Sequence, residues 1–140
     1  MNIQKRYLSA LLLGFMLYFA SITISSADNR DKVVLHINTP TKMTMLVNNV
    51  INLRHVLGKD ADIRVVVNGP AVARFTTLSE SRNQLDQILQ QNASVAVCSY
   101  ALKNKKISKE LLYEGTQYLE DGGVANLVKL QQQGYAYIKP

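Results

Sequence analysis

Residues Lys32 to Asn38 (KVVLHIN) form a β-branched run with apolar positions on both faces. That pattern predicts a strand buried between two helical layers. Thr39-Pro40-Thr41 breaks the run, and Thr41 is placed to cap a helix. Across that helix Leu46, Val50, Leu53 and Leu57 recur at steps of four, three and four until Gly58 stops it. Ile63 to Val67 reads as a second buried strand, closed by Asn68-Gly69-Pro70, with a short helix over Ala71 to Phe75. Ser81 followed by Gln84 has the form of a capping box and opens a helix carrying Leu85, Ile88 and Leu89 to about Gln91. Ser94 to Ser99 (SVAVCS) is a third strand. A helix from Ser108 to Tyr113, a short strand over Thr116 to Leu119, a helix after Gly122-Gly123 and a last strand over Tyr135 to Lys139 complete the pattern. In that last helix Val124, Leu127, Val128 and Gln131 share one side.

Strands and helices alternating in this way form βαβ crossovers, hence an α/β fold with a mostly parallel sheet and helices on both faces. Five strands fit a doubly wound sheet in the flavodoxin-like order 2-1-3-4-5. In that order the first and third strands are neighbours, and the crevice beyond their carboxyl ends holds the ligand. His36 and Asn38 end one of these strands, and Cys98 and Ser99 end the other.

The front of the chain follows a different pattern. Lys5 and Arg6 precede an apolar run, Leu8 to Ala20, and a small polar stretch ends in Ser25-Ser26-Ala27. This is the layout of a secretory signal over residues 1–27, with cleavage after Ala27, leaving one domain over residues 28–140 and a periplasmic or secreted protein. A spanning helix needs about 20 apolar residues, which this run lacks, so membrane association is expected only if the segment stays uncleaved.

Loss of the signal removes two of the charges that make up the formal +6. What remains is no basic stripe of the kind that grips nucleic acid, and no such partner is expected. There is no C-x-x-C, H-E-x-x-H, G-x-S-x-G or G-x-x-x-x-G-K-[ST] motif. Two histidines, His36 and His55, lie far apart in sequence. Neither a metal nor a cofactor is expected. A single cysteine excludes an internal disulfide, so Cys98 is an inert core thiol, a reactive thiol or an intermolecular link.

The segments VVLHIN, VVVNGPAV, VAVCSYALKNKKIS and GGVANLVKLQQQGYAYIKP, in this order and spacing, resemble the DsrE/DsrF-like family across the whole mature chain. The stretch from Gly123 to Pro140 carries the resemblance most specifically. It implies a compact α/β subunit that assembles as a homo-trimer or hexamer, and in some members a cysteine that carries sulfane sulfur as a persulfide. Cys98 stands where those members have theirs. Sulfur-relay members work in the cytoplasm with dedicated partner subunits, whereas this chain carries an export signal.

Two functions follow. In the first, Cys98 accepts a sulfane sulfur and passes it to a thiol or sulfur-donor partner protein, with His36 as proton partner. Asn38, Gly69, Ser99 and Lys103 then contact the ligand. Lys103, Lys105 and Lys106 are cations of the kind that favour a thiolate and attract an anion. In the second, the protein is a non-catalytic oligomeric module that binds a small ligand or serves assembly. Cys98 is then a core thiol among Val95, Ala96 and Val97, and His36 a hydrogen-bonded strand residue. The oligomer then presents small pockets near Asn38, Gly69 and Cys98; read more plainly, Asn38 and Gly69 serve turns and the lysines a solvated loop. Tyr135 and Tyr137, two apart on the last strand, suit packing or a subunit contact.

Overall fold

The computed structural model describes residues 30–140, so the signal segment and its cleavage point lie outside the described residues. Among the described residues five strands form one sheet: β1 (Lys32–Ile37), β2 (Asp62–Val67), β3 (Ser94–Cys98), β4 (Thr116–Leu119) and β5 (Ala136–Ile138). Every pairing is parallel. Four α-helices join them: α1 (Met43–Leu57), α2 (Arg82–Gln90), α3 (Ser99–Asn104) and α4 (Gly123–Gln132). The architecture is the expected α/β sheet with helices on both faces.

The strand order is β4-β3-β2-β1-β5, not 2-1-3-4-5. Steps from β1 to β2, β3 and β4 all move the same way, so right-handed crossovers put α1, α2 and α3 on one face. The step from β4 to β5 reverses across the sheet and puts α4 on the other. The physical reason is burial. β2 has Val65, Val66 and Val67 all buried and needs neighbours on both sides, whereas β4 and β5 are short and partly exposed, as edges can be. The first and third strands are therefore separated by β2.

Alternation along the strands builds two cores. Val33, Leu35 and Ile37, Ile63, Val65 and Val67, and Val95 and Val97 pack with Leu46, Val50, Phe75, Leu85 and Ile88. Val34 and Val66 turn to the opposite face and meet Leu127, Leu130 and Tyr135. Side chains two apart share a face of a strand, so His36 and Ala96 also lie on the α4 side.

Some local expectations give way to tertiary contacts. Neither Thr41 nor Ser81 makes a side-chain cap; Pro40–Lys42 is a 3-10 turn, and Gln84 reaches across to donate to Thr44 Oγ1 at 3.2 Å. The helix expected over Ser108 to Tyr113 is only a 3-10 turn, Lys109–Leu111. Leu112 is drawn into a bridge with Thr76, and the Tyr113 N–H donates to the Phe75 carbonyl, so the chain leaves the helical path. On α4 the buried stripe is Gly123, Leu127 and Leu130; Val124 and Val128 face outward.

Candidate functional site

Parallel register lines up the carboxyl ends of the central strands. Ile37 pairs with Val67 and Val67 with Val97, so the residues that follow, Asn38, Asn68 and Cys98, make one row across the end of the sheet. The strand order decides who meets whom. Asn68, from β2, stands beside Cys98, while His36 and Asn38 are one strand further away. The expected direct contact between His36 and Cys98 does not form, because β2 lies between them.

Cys98 is the last residue of β3 and the N-cap of α3, with only 6% of its surface exposed. It is nonetheless at the wall of a cavity of about 380 Å³ that Asn68, Gly69, Pro70, Tyr100, Ala101, Asn104 and Lys105 also line. That lining is mainly apolar. The start of α4 closes over the thiol from the other face. A Cβ on Gly123 would fall 3.2 Å from the Cβ atoms of both Asn68 and Cys98. One on Gly122 would fall 3.8 Å from Cys98 Sγ. The approach at Gly123 is tight, so a side chain there would push on both neighbours, whereas the distance from Gly122 to the sulfur is ordinary contact.

His36 is buried and spends both ring nitrogens. Its Nε2 lies 2.9 Å from Asn68 Oδ1, and its Nδ1 lies 2.7 Å from the Tyr137 hydroxyl. Burial lowers its pKa, the hydrogen bond to Asn68 raises it in part, and the charge of Lys139 lowers it further. His36 is thus held toward its neutral form and joins the cavity only through Asn68.

The other expected ligand contacts divide. Gly69 lines the cavity with a φ of +54°, its backbone pressed against Asn38 so that a Cβ would lie 3.3 Å from the Asn38 carbonyl oxygen. Asn38 itself stays behind Gly69, and its Oδ1 accepts from the Thr39 hydroxyl. Ser99 is fully buried and donates to the Glu120 carbonyl at 3.0 Å, tying α3 to the loop before α4. Lys103 lies with Nζ 5.7 Å from the centroid of the Tyr100 ring; Lys105 is the lysine at the cavity.

Asn68, Tyr100, Gly122, Gly123 and the hydroxyl of Tyr137 were not singled out for this site by sequence reasoning. The available signal was local: Asn68-Gly69-Pro70 ends β2 as Cys98 ends β3, an alignment that becomes visible once β2 and β3 are known to be neighbours. Among the described residues no group of three His, Cys, Asp or Glu side chains is placed to hold a metal ion. No described helix is long and apolar enough to cross a membrane.

The model of the DsrE/DsrF-like family matches residues 31–140. Among solved structures, a protein of unknown function from Methanobacterium thermoautotrophicum is similar at 28% identity and a TM-score of 0.72. The match covers 79% of this chain and 99% of that one. The ychN protein of E. coli follows at 18% identity and a TM-score of 0.68, with 79% and 99% covered. A conserved protein of unknown function from Bacteroides thetaiotaomicron is similar at 17% identity and a TM-score of 0.62, with 79% and 95% covered. The last two likenesses concern the fold alone. Among curated proteins none matches significantly.

Proposed function

Since the chain belongs to the DsrE/DsrF-like family, we propose that it carries sulfane sulfur on Cys98 as a persulfide and hands it to a thiol of a partner protein. The observation that carries this reading is the chain's single thiol at the wall of a mainly apolar cavity, large enough for a small sulfur donor. In the loading step the Cys98 thiolate attacks the outer sulfur of a donor such as thiosulfate. A sulfur–sulfur bond forms on Cys98, the donor's sulfur–sulfur bond breaks, and sulfite leaves with the electron pair. In the unloading step a partner thiolate attacks the terminal sulfur, and Cys98 leaves as thiolate. Neither step needs an external oxidant or reductant. The apolar walls limit water around the persulfide.

A second reading is favoured by the low exposure of Cys98: the cavity binds a small ligand, and the thiol is only part of its wall. One experiment separates the two. The protein is incubated with thiosulfate or polysulfide and weighed intact. The carrier reading expects the gain of a sulfur atom, absent in Cys98→Ser with the fold intact. No gain, with slow native alkylation and a clear loss of stability in Cys98→Ser, leaves the ligand-binding module.

The proposal includes export. The pattern of residues 1–27 supports a mature chain beginning at Asp28 in the periplasm or outside the cell. N-terminal sequencing of the protein from its native compartment tests it; an intact Met1 in the membrane fraction would favour an anchor.

A further inference from the structure

An asparagine side chain has one accepting and one donating end, and which end faces a site depends on what holds the other. Asn68 Oδ1 is 2.9 Å from His36 Nε2. Oδ1 can only accept, so Nε2 carries the proton. Neutral histidine has a single N–H, so Nδ1 is left as an acceptor and takes the Tyr137 hydroxyl proton at 2.7 Å. The direction of the chain is then complete: Tyr137 donates to His36, and His36 donates to Asn68. With Oδ1 engaged by His36, the NH2 is the end of the amide left for the cavity that Asn68 and Cys98 both line.

We propose that Asn68 is the hydrogen-bond donor of the Cys98 cavity, its NH2 aimed at the ligand by the His36–Tyr137 pair, and that the cavity thereby selects small ligands with an anionic, hydrogen-bond-accepting end. The inference rests on the reading that this cavity is the functional site and deepens it by naming a substrate class: anionic sulfur donors with terminal oxygens, ahead of neutral organic polysulfides. A donor in a mainly apolar lining counts for more than one in water, because competing hydrogen bonds to solvent are fewer. Lys105, also at the cavity, supplies positive charge but no fixed direction, since a lysine is a mobile point charge. Asn68 supplies the direction. His36 and Tyr137 are positioning residues; they act through Asn68.

The test compares alkylation of Cys98 by anionic iodoacetate and neutral iodoacetamide in the full chain. Taking the ratio of the two rates on one protein cancels changes in thiol exposure. In Asn68→Leu the iodoacetate-to-iodoacetamide ratio is expected to fall about tenfold, the size of one lost hydrogen bond to a charged group. Asn68→Asp is expected to lower it further. An unchanged ratio in folded Asn68→Leu overturns the inference, and so does resistance of wild-type Cys98 to both reagents. A second measurement serves where the variants do not fold: ¹⁵N NMR of wild-type protein at neutral pH is expected to find the His36 proton on Nε2, and a proton on Nδ1 would overturn the proposed direction. The two readings fail separately. A lowered ratio without sulfur loading rejects sulfur carriage and keeps the donor; sulfur loading with an unchanged ratio does the reverse.

Discussion

Gly122 and Tyr100 are so close that a Cβ on the glycine would fall 2.6 Å from Cδ2 of the ring. The same glycine has φ +81° and ψ 162°, a region open in practice only to glycine. Gly122→Ala therefore meets two obstacles, backbone strain and the ring. The strain alone costs about 1–3 kcal/mol, and Tyr100 must swing away from the cavity wall. The expected result is a lowered melting temperature together with faster alkylation of Cys98. An unchanged melting temperature would show that the contact is looser than described.

Arg54 holds together the loops at the opposite end of the sheet. Its guanidinium donates to the carbonyls of Gly58, Lys59 and Ala61 at 2.8–2.9 Å. It also reaches Gln91 at 2.8 Å and Asn92 at 3.4 Å. Asn92 has φ +53°, an uncommon conformation for a residue with a side chain. Arg54→Met keeps the aliphatic stem and removes every donor. The expected loss is about 1–3 kcal/mol, read as a shifted denaturation midpoint. Faster amide exchange is expected around residues 58–61 and 91–93. Loss of stability without a change in those two loops would place the effect elsewhere.

Stability should depend on pH through His36. Its pKa is lowered in the folded state, chiefly by burial, while in the unfolded chain it titrates near about 6.5. Below that value the unfolded chain takes up a proton that the folded chain resists. The contribution is therefore present above about 6.5 and is lost as pH falls toward the folded-state value. Asp62, lowered by its hydrogen bonds from Arg64, and Asp121, lowered by Lys129, lose their contributions only at the lower pH of carboxylates. Melting temperatures from pH 7.5 down to 5 should fall more steeply for wild type than for His36→Gln. Parallel curves would mean that His36 is not the group responsible.

Assembly is expected as a homo-trimer or a multiple of it. Resemblance to the DsrE/DsrF-like family motivates this, and the outward Val124 and Val128 on α4 are candidate contact residues. Of the two tyrosines near the last strand, Tyr137 on β5 is exposed and Tyr135 precedes the strand. Tyr135 is buried, its hydroxyl donating to Asp62 and its ring 4.9 Å from the Arg64 guanidinium carbon, and its pKa is pushed up to about 12, chiefly by burial. Light scattering across a wide concentration range measures the mass directly. A single-subunit mass throughout would exclude assembly.

The sequence by itself determined the strands, the amphipathic helices and their alternation, because each depends on contacts within a few residues. Leu46, Val50, Leu53 and Leu57 mark the inner face of α1 whatever that face meets. The three apolar strands and the glycines at the start of α4 were legible for the same reason, and with them the α/β class and the place of Cys98 at a strand end. Strand order was not, because right-handed crossovers permit both 2-1-3-4-5 and the observed β4-β3-β2-β1-β5. One clue was present: β1, β2 and β3 are apolar on both faces, while TQYL and AYI are the weaker strands that edges tolerate. The tertiary structure decided the rest of the site. Placing β2 between β1 and β3 set Asn68 beside Cys98, moved His36 to the far side of Asn68, and bonded it to Tyr137, 101 residues away. Those contacts join distant parts of the chain, and local residue patterns carry no record of which strand lies beside which.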